Sequence, residues 1–355
     1  MDTFIMIAVS VSIFFLSYSW FLFIVRNASS EHHFLEILRQ PLAPVLCLGS
    51  ICFLLAHIVS KGQLDAIVYL PLRCPVIFIL SSFALLILLK KTASNKKQYL
   101  IILAFTLINT LCLPSEINIT DNILPPLAEK CALALLWSLF AFLYFTLNGV
   151  EGVLSLQTLS IALGVMVLFA LGMISGLDGF YSCIDIALFL GLMLFTSFPA
   201  TLKLSVPDCR IIGFFIGWLG ILISIEGAGS CFIILSMYYI YETAFALLKR
   251  LSFQDQFKRL VNNTFYARLA DTGVSPKNIC RFVSRLNLVM IILACFQVYA
   301  PNNYTLIIFS VFMIFWMIGK VMSTQETNNH LLLTGSLISF LKKNKNNPPI
   351  QEKKE

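Results

Sequence analysis

Residues 153–175, VLSLQTLSIALGVMVLFALGMIS, decide the fold class, because the whole stretch passes without a charged side chain. A helix of about 20 residues crosses the roughly 30 Å hydrocarbon layer of a bilayer. Similar apolar stretches recur along the chain, and we expect each to form a membrane-spanning helix. Eleven spans are predicted, at residues 4–25, 43–60, 73–89, 98–113, 131–147, 153–175, 183–199, 210–225, 229–248, 286–300 and 303–320.

The composition of the whole chain agrees with this prediction. Hydrophobic residues make up 58% of the 355 residues and charged residues only 12%, about half the charged share of soluble domains. These values exclude a disordered protein, a nucleic-acid-binding arm and an ordinary soluble enzyme. The ten cysteines form no C-x-x-C pair, so neither a zinc site nor a disulfide framework is predicted. The sequence therefore predicts an all-α, polytopic membrane protein.

The Lys and Arg residues predict the orientation. With the N-terminus outside, 22 of the 25 fall on the cytoplasmic side, and only Lys61, Arg73 and Lys130 fall outside. Cytoplasmic loops of membrane proteins carry such an excess of basic residues. We therefore predict that the N-terminus is outside and the C-terminus inside. The net charge of +7 is assigned to this orientation, and no nucleic-acid partner is predicted.

The predicted domain organisation is simple. Residues 1–322 form a single transmembrane domain with one long cytoplasmic loop at 249–285, and residues 323–355 form a polar cytoplasmic tail. Within the tail, residues 331–341 are too few to span the membrane and are predicted to form a short interfacial helix. No internal repeat is visible, which disfavours transporters built from inverted repeats.

Two glutamates near the predicted cytoplasmic face are candidates for function, because ionisable groups inside spans are costly. Glu242 lies inside the ninth span and either pairs with a cation on a neighbouring helix or contacts a ligand. Glu151 lies in the turn at 148–152, whose two glycines allow it to cradle a ligand or simply to turn. The basic face suits an anion such as a lipid phosphate or a nucleotide better than a divalent metal. The alternative is that the cations only set the orientation.

Five fragments near the predicted cytoplasmic face carry a resemblance. They are LRQPLAPVLCLG at 38–49, FTLNGVEGV at 145–153, PDCRIIGFFIGW at 207–218, YET at 241–243 followed by Lys249 and Arg250, and YARLADTGVS at 266–275. In order and spacing they resemble motifs of the polyprenyl-phosphate N-acetylhexosamine-1-phosphate transferases, also called glycosyl transferase family 4. This family includes undecaprenyl-phosphate GlcNAc-1-phosphate transferases and phospho-N-acetylmuramoyl-pentapeptide translocase.

The resemblance covers roughly residues 35–300 and implies a fold, a location and a reaction. It implies ten or eleven spans and a cytoplasmic active site in the bacterial inner membrane. In the family, a sugar 1-phosphate passes from a UDP-amino sugar to a polyprenyl phosphate in the presence of Mg²⁺. The products feed the synthesis of peptidoglycan and other cell-envelope polysaccharides.

The chain departs from the family pattern where Mg²⁺ would bind. The family's Asp-Asp pair reads Lys90-Lys91, and its later aspartate falls at Phe214 or Phe215. Both histidines of the last loop are absent, since Tyr266 and Ala267 stand there. Mg²⁺ prefers carboxylate and phosphate oxygens, and two ammonium groups repel it. Lost or altered catalysis is therefore expected, as in a pseudoenzyme.

The resemblance also assigns candidate residues and partners. The candidate catalytic residues are Asn148, Glu151 and Glu242, and no metal ligand is assigned. The candidate phosphate-binding residues, which would hold anionic oxygens without a metal, are Lys90, Lys91, Arg250 and Arg268. The implied ligands are a polyprenyl phosphate and, as a further candidate, a UDP-amino sugar. The implied partner is a second copy or an active relative.

Two other hypotheses stay open at this point. The first is an active transferase whose site has been rebuilt with Lys, Asn and Glu. The second is a polytopic transporter or glycan polymerase that shares only hydropathy with the family. Retention of Glu151, Glu242, Arg250 and Arg268 favours a family member over the second. The missing aspartates favour lost catalysis over the first.

Overall fold

The computed structural model describes residues 70–113, 124–150, 152–172, 205–253, 264–271, 274–299 and 304–319. Within these residues every regular element is helical. The helices are α1 Leu70–Lys91, α2 Asn95–Leu111, α3 Pro126–Leu143, α4 Val153–Ala170, α5 Val206–Ile225, α6 Gly229–Leu235, α7 Met237–Phe253, α8 Phe265–Asp271, α9 Pro276–Val298 and α10 Thr305–Gly319. A 3₁₀ segment, Tyr144–Gly149, continues α3.

Four of these helices are long and apolar enough to cross a membrane. They are Pro126–Gly149 (α3 with the 3₁₀ segment), Val153–Ala170, Val206–Ile225 and Pro276–Val298. The number rises to five if α6 and α7 form one bent span. The prediction of an all-helical membrane protein is therefore confirmed for the described residues. The predicted spans 4–25, 43–60 and 183–199, the tail 323–355 and Glu151 lie outside them.

The ninth predicted span, 229–248, is not one straight helix. It is divided at Ser236 into α6 and α7, whose axes differ by 62°. Hydropathy is continuous across this point, so the bend was not predictable from it. A buried polar contact lies at the break: Gln157 of α4 donates a hydrogen bond of 3.3 Å to the carbonyl of Leu235.

The predicted loop 249–285 is shorter than expected and partly helical. Helix α7 continues to Phe253, α8 lies within the loop, and α9 begins at Pro276. The tenth span was predicted to start only at residue 286, because Lys277, Arg281 and Arg285 interrupt the hydropathy. These three residues are spaced four apart and exposed, whereas the residues between them include buried apolar side chains. The start of α9 is therefore amphipathic. A search for continuous hydrophobicity misses an amphipathic helix start, because the charged face lowers the mean hydropathy.

An aromatic cluster joins α1, α3 and α5. Trp137 and Phe214 stack with ring centroids 4.5 Å apart, and Phe78 stacks on Phe214 at 5.3 Å and on Trp218 at 4.9 Å. The indole Nε1 of Trp137 donates a 2.8 Å hydrogen bond to the carbonyl of Phe214. Stacked aromatic pairs and a satisfied indole N–H give this core fixed geometry.

The packing divides the chain into two compact units, Met1–Ile307 and Ile308–Glu355. All candidate site residues lie in the first unit. In the second unit, the described part is the continuation of α10, which exposes large apolar side chains including Phe312, Phe315 and Trp316. Such exposure is typical of a helix that faces lipid.

Gly213 on α5 permits close approach of α3, and its replacement by alanine is expected to destabilise the protein. A Cβ at this position would lie 2.5 Å from Cβ of Tyr144 and 3.0 Å from backbone atoms of Ala141. Because part of the obstacle is backbone, α3 and α5 must separate, at a cost of about 1–3 kcal/mol. Thermal unfolding in detergent measures this loss as a lower melting temperature.

The matched control is Gly319→Ala, because no heavy atom lies within 4 Å of an added Cβ there. We expect this variant to have the same melting temperature as the unchanged protein. Equal melting temperatures for the two alanine variants would show that α3 and α5 are not held at the distance described.

Candidate basic site at the convergent helix ends

Several helix ends meet at one end of the first unit. We call this region the convergent end and define it by residues 90–98, 144–150, 205–210, 242–243 and 264–266. Three contacts establish it: Lys90 with Asp208, Arg210 with Asn95, and Tyr266 with the carbonyl of Thr146. The last pair is 120 residues apart in the sequence.

Lys90, a predicted phosphate-binding residue, lies beside an acid. Its ammonium Nζ is 3.7 Å from Oδ1 of Asp208, and its side chain is 30% exposed. Asp208 also closes a capping box at the start of α5, in which its backbone N–H donates to Oγ of Ser205 at 3.4 Å. The Oδ2 atom of the buried Asp208 carboxylate accepts from the backbone N–H and the hydroxyl of Ser205, whereas Oδ1 faces the Lys90 ammonium without a hydrogen bond. Lys90 itself still reaches solvent. The neighbouring Lys91 is exposed.

Arg210 is the residue that the sequence analysis did not assign to the site. It is the fifth residue of α5 and is fully buried. Its Nη2 donates to Oδ1 of Asn95 at 3.1 Å and its Nε to the carbonyl of Phe142 at 3.4 Å. The guanidinium carbon lies 4.2 Å from the ring centre of Phe142 and 5.1 Å from that of Phe145. Its charge at the start of an apolar span was counted as evidence of orientation, and it lay within the fragment at 207–218, but no role was assigned to it.

Glu242 ties α7 to the start of α8. It is fully buried and accepts a 3.1 Å hydrogen bond from the hydroxyl of Tyr238 and a 2.9 Å bond from the backbone N–H of Phe265. These two partners are neutral. The alternative of a cation beside Glu242 stays a prediction, because the side chains of Lys249, Arg250 and Arg268 lie outside the description. Both bonds would favour a structural role, since they orient the carboxylate toward the protein.

Tyr266 stands at the position where the resemblance would place a histidine. Its hydroxyl donates to the carbonyl of Thr146, and the hydroxyl of Thr146 lies 3.2 Å from that of Thr243. Burial, with the charge of Glu242 as a second cause, raises the pKa of Tyr266 well above its ordinary value. Tyr266 is therefore a neutral hydrogen-bond donor that joins α8 to the 3₁₀ segment.

The remaining predicted residues are only partly placed. Asn148 is half-buried in the 3₁₀ segment, immediately before a turn in which Gly152 has a φ of 86° that favours glycine. Arg250 lies on α7 and Arg268 on α8, and their side chains are outside the description. The structure thus brings Lys90, Asn148 and Glu242 into the same end of the unit.

The described residues do not fit the Mg²⁺ ion that the resemblance implies. Among them, no group of three or more His, Cys, Asp or Glu side chains is placed to hold a metal ion. The carboxylates of Asp208 and Glu242 are already bonded within the protein. A lysine ammonium also stands where a cation would approach Asp208, and it would repel a divalent ion.

Phe214 and Phe215, at one of which the family's later aspartate would fall, belong to the aromatic cluster. Phe214 is fully buried. Phe215 packs edge-on against Phe78 at 5.1 Å. Neither position offers an oxygen ligand, and the space around Phe214 is filled by rings from α1 and α3.

The fold and this site define an all-helical membrane protein with a basic, solvent-facing surface beside a buried polar network. Comparison with protein-family models, with curated proteins and with solved structures found no significant match.

Proposed function

We propose that the protein is a degenerate member of the polyprenyl-phosphate N-acetylhexosamine-1-phosphate transferase family that binds a polyprenyl phosphate without normal Mg²⁺-dependent transfer. It would cross the bacterial inner membrane eleven times, with its N-terminus outside and its C-terminus inside. Its role would lie in cell-envelope glycan synthesis. There it would act as a homodimer or beside an active relative that supplies the turnover.

The observation that carries this proposal is the convergence of the motif-like fragments. The fragments at 145–153, 207–218, 241–243 and 266–275 are far apart in the sequence. The last three each contact the first at a single end of the unit, where Arg210 lies over the ring of Phe145, and Thr243 and Tyr266 both bond to Thr146. A family active site requires this arrangement. Hydropathy alone does not require it, because a chain of similar spans can place its polar fragments at either end.

The contacts within the convergent end support lost catalysis more than a rebuilt site. Asp208 and Glu242 are bonded to Ser205, Lys90, Tyr238 and Phe265. Preorganised groups aimed at developing charge are worth about 3–4 kcal/mol each in an active enzyme. Carboxylates that hold helices together are not free to serve a metal or a leaving group.

The charge distribution supports the proposed orientation. The convergent end carries exposed Lys90, Lys91, Lys96 and Lys97. Basic residues at one end of a helical membrane protein favour its placement on the cytoplasmic side. This is also the side on which nucleotide sugars and a lipid phosphate would meet.

The helix break supports a second candidate, a transporter. Around the break between α6 and α7, Gln157 donates to the carbonyl of Leu235 and accepts a 2.8 Å hydrogen bond from Asn287. Discontinuous helices with polar partners form substrate sites in many secondary transporters. This candidate predicts transport without any affinity for polyprenyl phosphate.

We expect the purified protein to bind undecaprenyl phosphate but to catalyse no exchange between labelled UMP and UDP-GlcNAc. The physical reason is the absence of a carboxylate set for Mg²⁺ among the described residues. The measurement follows label entering UDP-GlcNAc in the presence of undecaprenyl phosphate, with and without Mg²⁺. Binding of the lipid is measured in parallel on the same preparation.

An active relative assayed in the same detergent is the control for the exchange. Lipid-dependent label would contradict lost catalysis and favour the rebuilt site. The next residues to substitute would then be Lys90, Lys91, Asn148 and Glu151. Failure to bind undecaprenyl phosphate would contradict the proposed function itself and favour the transporter.

A further inference from the structure

Arg210 is a buried cation that lacks an acidic partner in the part of the chain that the structure describes. Its side chain is fully buried, whereas the ion pair at the convergent end joins Lys90 to Asp208. Burying a charge is costly unless it is paired. The aromatic rings of Phe142 and Phe145 lower this cost by cation–π contact, but they leave the charge without a counter-ion.

One edge of the guanidinium is suited to a ligand. The two rings lie close to the guanidinium carbon, and Nε is used by the carbonyl of Phe142. On the opposite edge, Nη2 bonds only to the side chain of Asn95, and Nη1 has no hydrogen-bond partner. A guanidinium edge with two such nitrogens matches two oxygens of a phosphate group.

Asn95 is an exposed and replaceable partner. It is the first residue of α2, and it covers this edge with a neutral amide oxygen. If the side chain turns into solvent, Nη2 and Nη1 open toward the surface. A phosphate oxygen could then take the position of the amide oxygen and add a charge that the amide lacks.

The surroundings of Asn95 favour an anion. Ser94 precedes α2, a helix of 17 residues, but its side chain makes no capping hydrogen bond. The first backbone N–H groups of α2 are therefore not bonded to the side chain of Ser94. Lys96 and Lys97 follow on the same exposed turn. The N-terminus of a helix and neighbouring ammonium groups both attract negative charge.

We propose that the Nη1–Nη2 edge of Arg210 binds a phosphate monoester at the N-terminus of α2, in place of Asn95 and without a divalent metal. The proposal rests on the proposed function for the lipid that would carry the phosphate. It adds a residue that the family resemblance did not assign. It also makes Asn95 a placeholder whose removal favours the ligand.

The test is calorimetric titration of the purified full-length protein in detergent with EDTA present. The probes are dihexanoyl phosphatidic acid, a lipid phosphomonoester; dihexanoyl phosphatidylglycerol, a phosphodiester; and inorganic phosphate. We expect the phosphomonoester to bind and Arg210→Lys to weaken it by about tenfold, because lysine cannot form the bidentate contact. Asn95→Ala is expected to tighten binding by about twofold to fivefold, because no internal bond must be broken.

Arg281→Lys is the matched control. Arg281 also bonds to an asparagine, with Nη1 donating to Oδ1 of Asn278 at 3.4 Å, but this pair is exposed. Like Arg210→Lys, its substitution keeps the positive charge and removes the guanidinium, and it is expected to leave affinity within about twofold. An equal loss in Arg281→Lys and Arg210→Lys would overturn the proposal, because the loss would then not depend on the buried guanidinium edge.

The outcomes separate this proposal from the proposed function. Binding of phosphatidic acid without binding of inorganic phosphate would show that the ligand is a lipid headgroup. Equal binding of both would show that a free phosphate is enough. Either result supports the Arg210 site. Absence of both, or unchanged affinity in Arg210→Lys, overturns it. If Arg210→Lys does not fold, Asn95→Ala decides, and binding no tighter than in the unchanged protein overturns the proposal. If Arg210→Lys binds undecaprenyl phosphate as tightly as the unchanged protein does, the proposed function is not contradicted.

Discussion

Phe214→Asp is expected to prevent stable folding, although Phe214 is one of the two positions at which the resemblance would put an aspartate. The carboxylate would be buried where Trp137 and Phe78 now stack on the ring, at 4.5 and 5.3 Å. Loss of a buried aromatic side chain costs about 3–5 kcal/mol, and an unpaired buried charge costs more. The sum is comparable to the whole stability of a typical domain, about 5–15 kcal/mol. Size-exclusion profiles and thermal unfolding in detergent measure the loss.

Two variants control this expectation. Phe214→Leu keeps the site apolar and is expected to fold with a lower melting temperature, because it loses stacking but buries no charge. Phe215→Asp changes the half-buried neighbour and is expected to cost less than Phe214→Asp. A well-folded Phe214→Asp protein would mean that the aromatic cluster is open enough to hydrate a carboxylate. Its exchange activity with Mg²⁺ would then be the next measurement.

Glu242→Ala is expected to detach α8 from α7. The substitution leaves the hydroxyl of Tyr238 and the backbone N–H of Phe265 without their acceptor. Each buried unsatisfied donor costs about 1–3 kcal/mol. We therefore expect faster hydrogen exchange in the peptide covering residues 264–271, together with a lower melting temperature.

Glu242→Gln separates the charge from the hydrogen bonds. The amide keeps one acceptor oxygen but offers an NH₂ group to the second donor, so an intermediate effect is expected. Glu226→Gln is the matched control, because Glu226 is exposed at the end of α5. Unchanged hydrogen exchange at 264–271 in Glu242→Ala would show that Glu242 does not hold α8. That result would favour the alternative that Glu242 contacts a ligand.

The membrane-spanning helices within the described residues were largely predictable, and the reason is solvation. In lipid every backbone N–H and C=O must be bonded internally, so an apolar stretch of sufficient length becomes a helix. Residues 153–175 and 210–225 illustrate this, since α4 and α5 cover most of them. The start of α9 at Pro276 was missed, because its charged face hid a helix whose other face is buried.

The candidate site was predicted only in part. Lys90 and Glu242 were singled out because charges near or within apolar spans are conspicuous. Their partners, Asp208 and the backbone of Phe265, were not predictable, because these contacts depend on how distant segments pack. Arg210 was overlooked for the same reason, since nothing local shows that Asn95 would reach it.

The sequence by itself determined that this protein is helical and lies in a membrane, because hydrophobicity and helix length are local properties of the chain. Its excess of basic residues also predicted the orientation through a simple electrostatic rule. The tertiary structure alone decided which charges meet, which are buried and which remain open to a ligand. Those outcomes depend on side-chain packing between helices far apart in sequence, where a shift of a few ångströms turns an ion pair into an exposed cation.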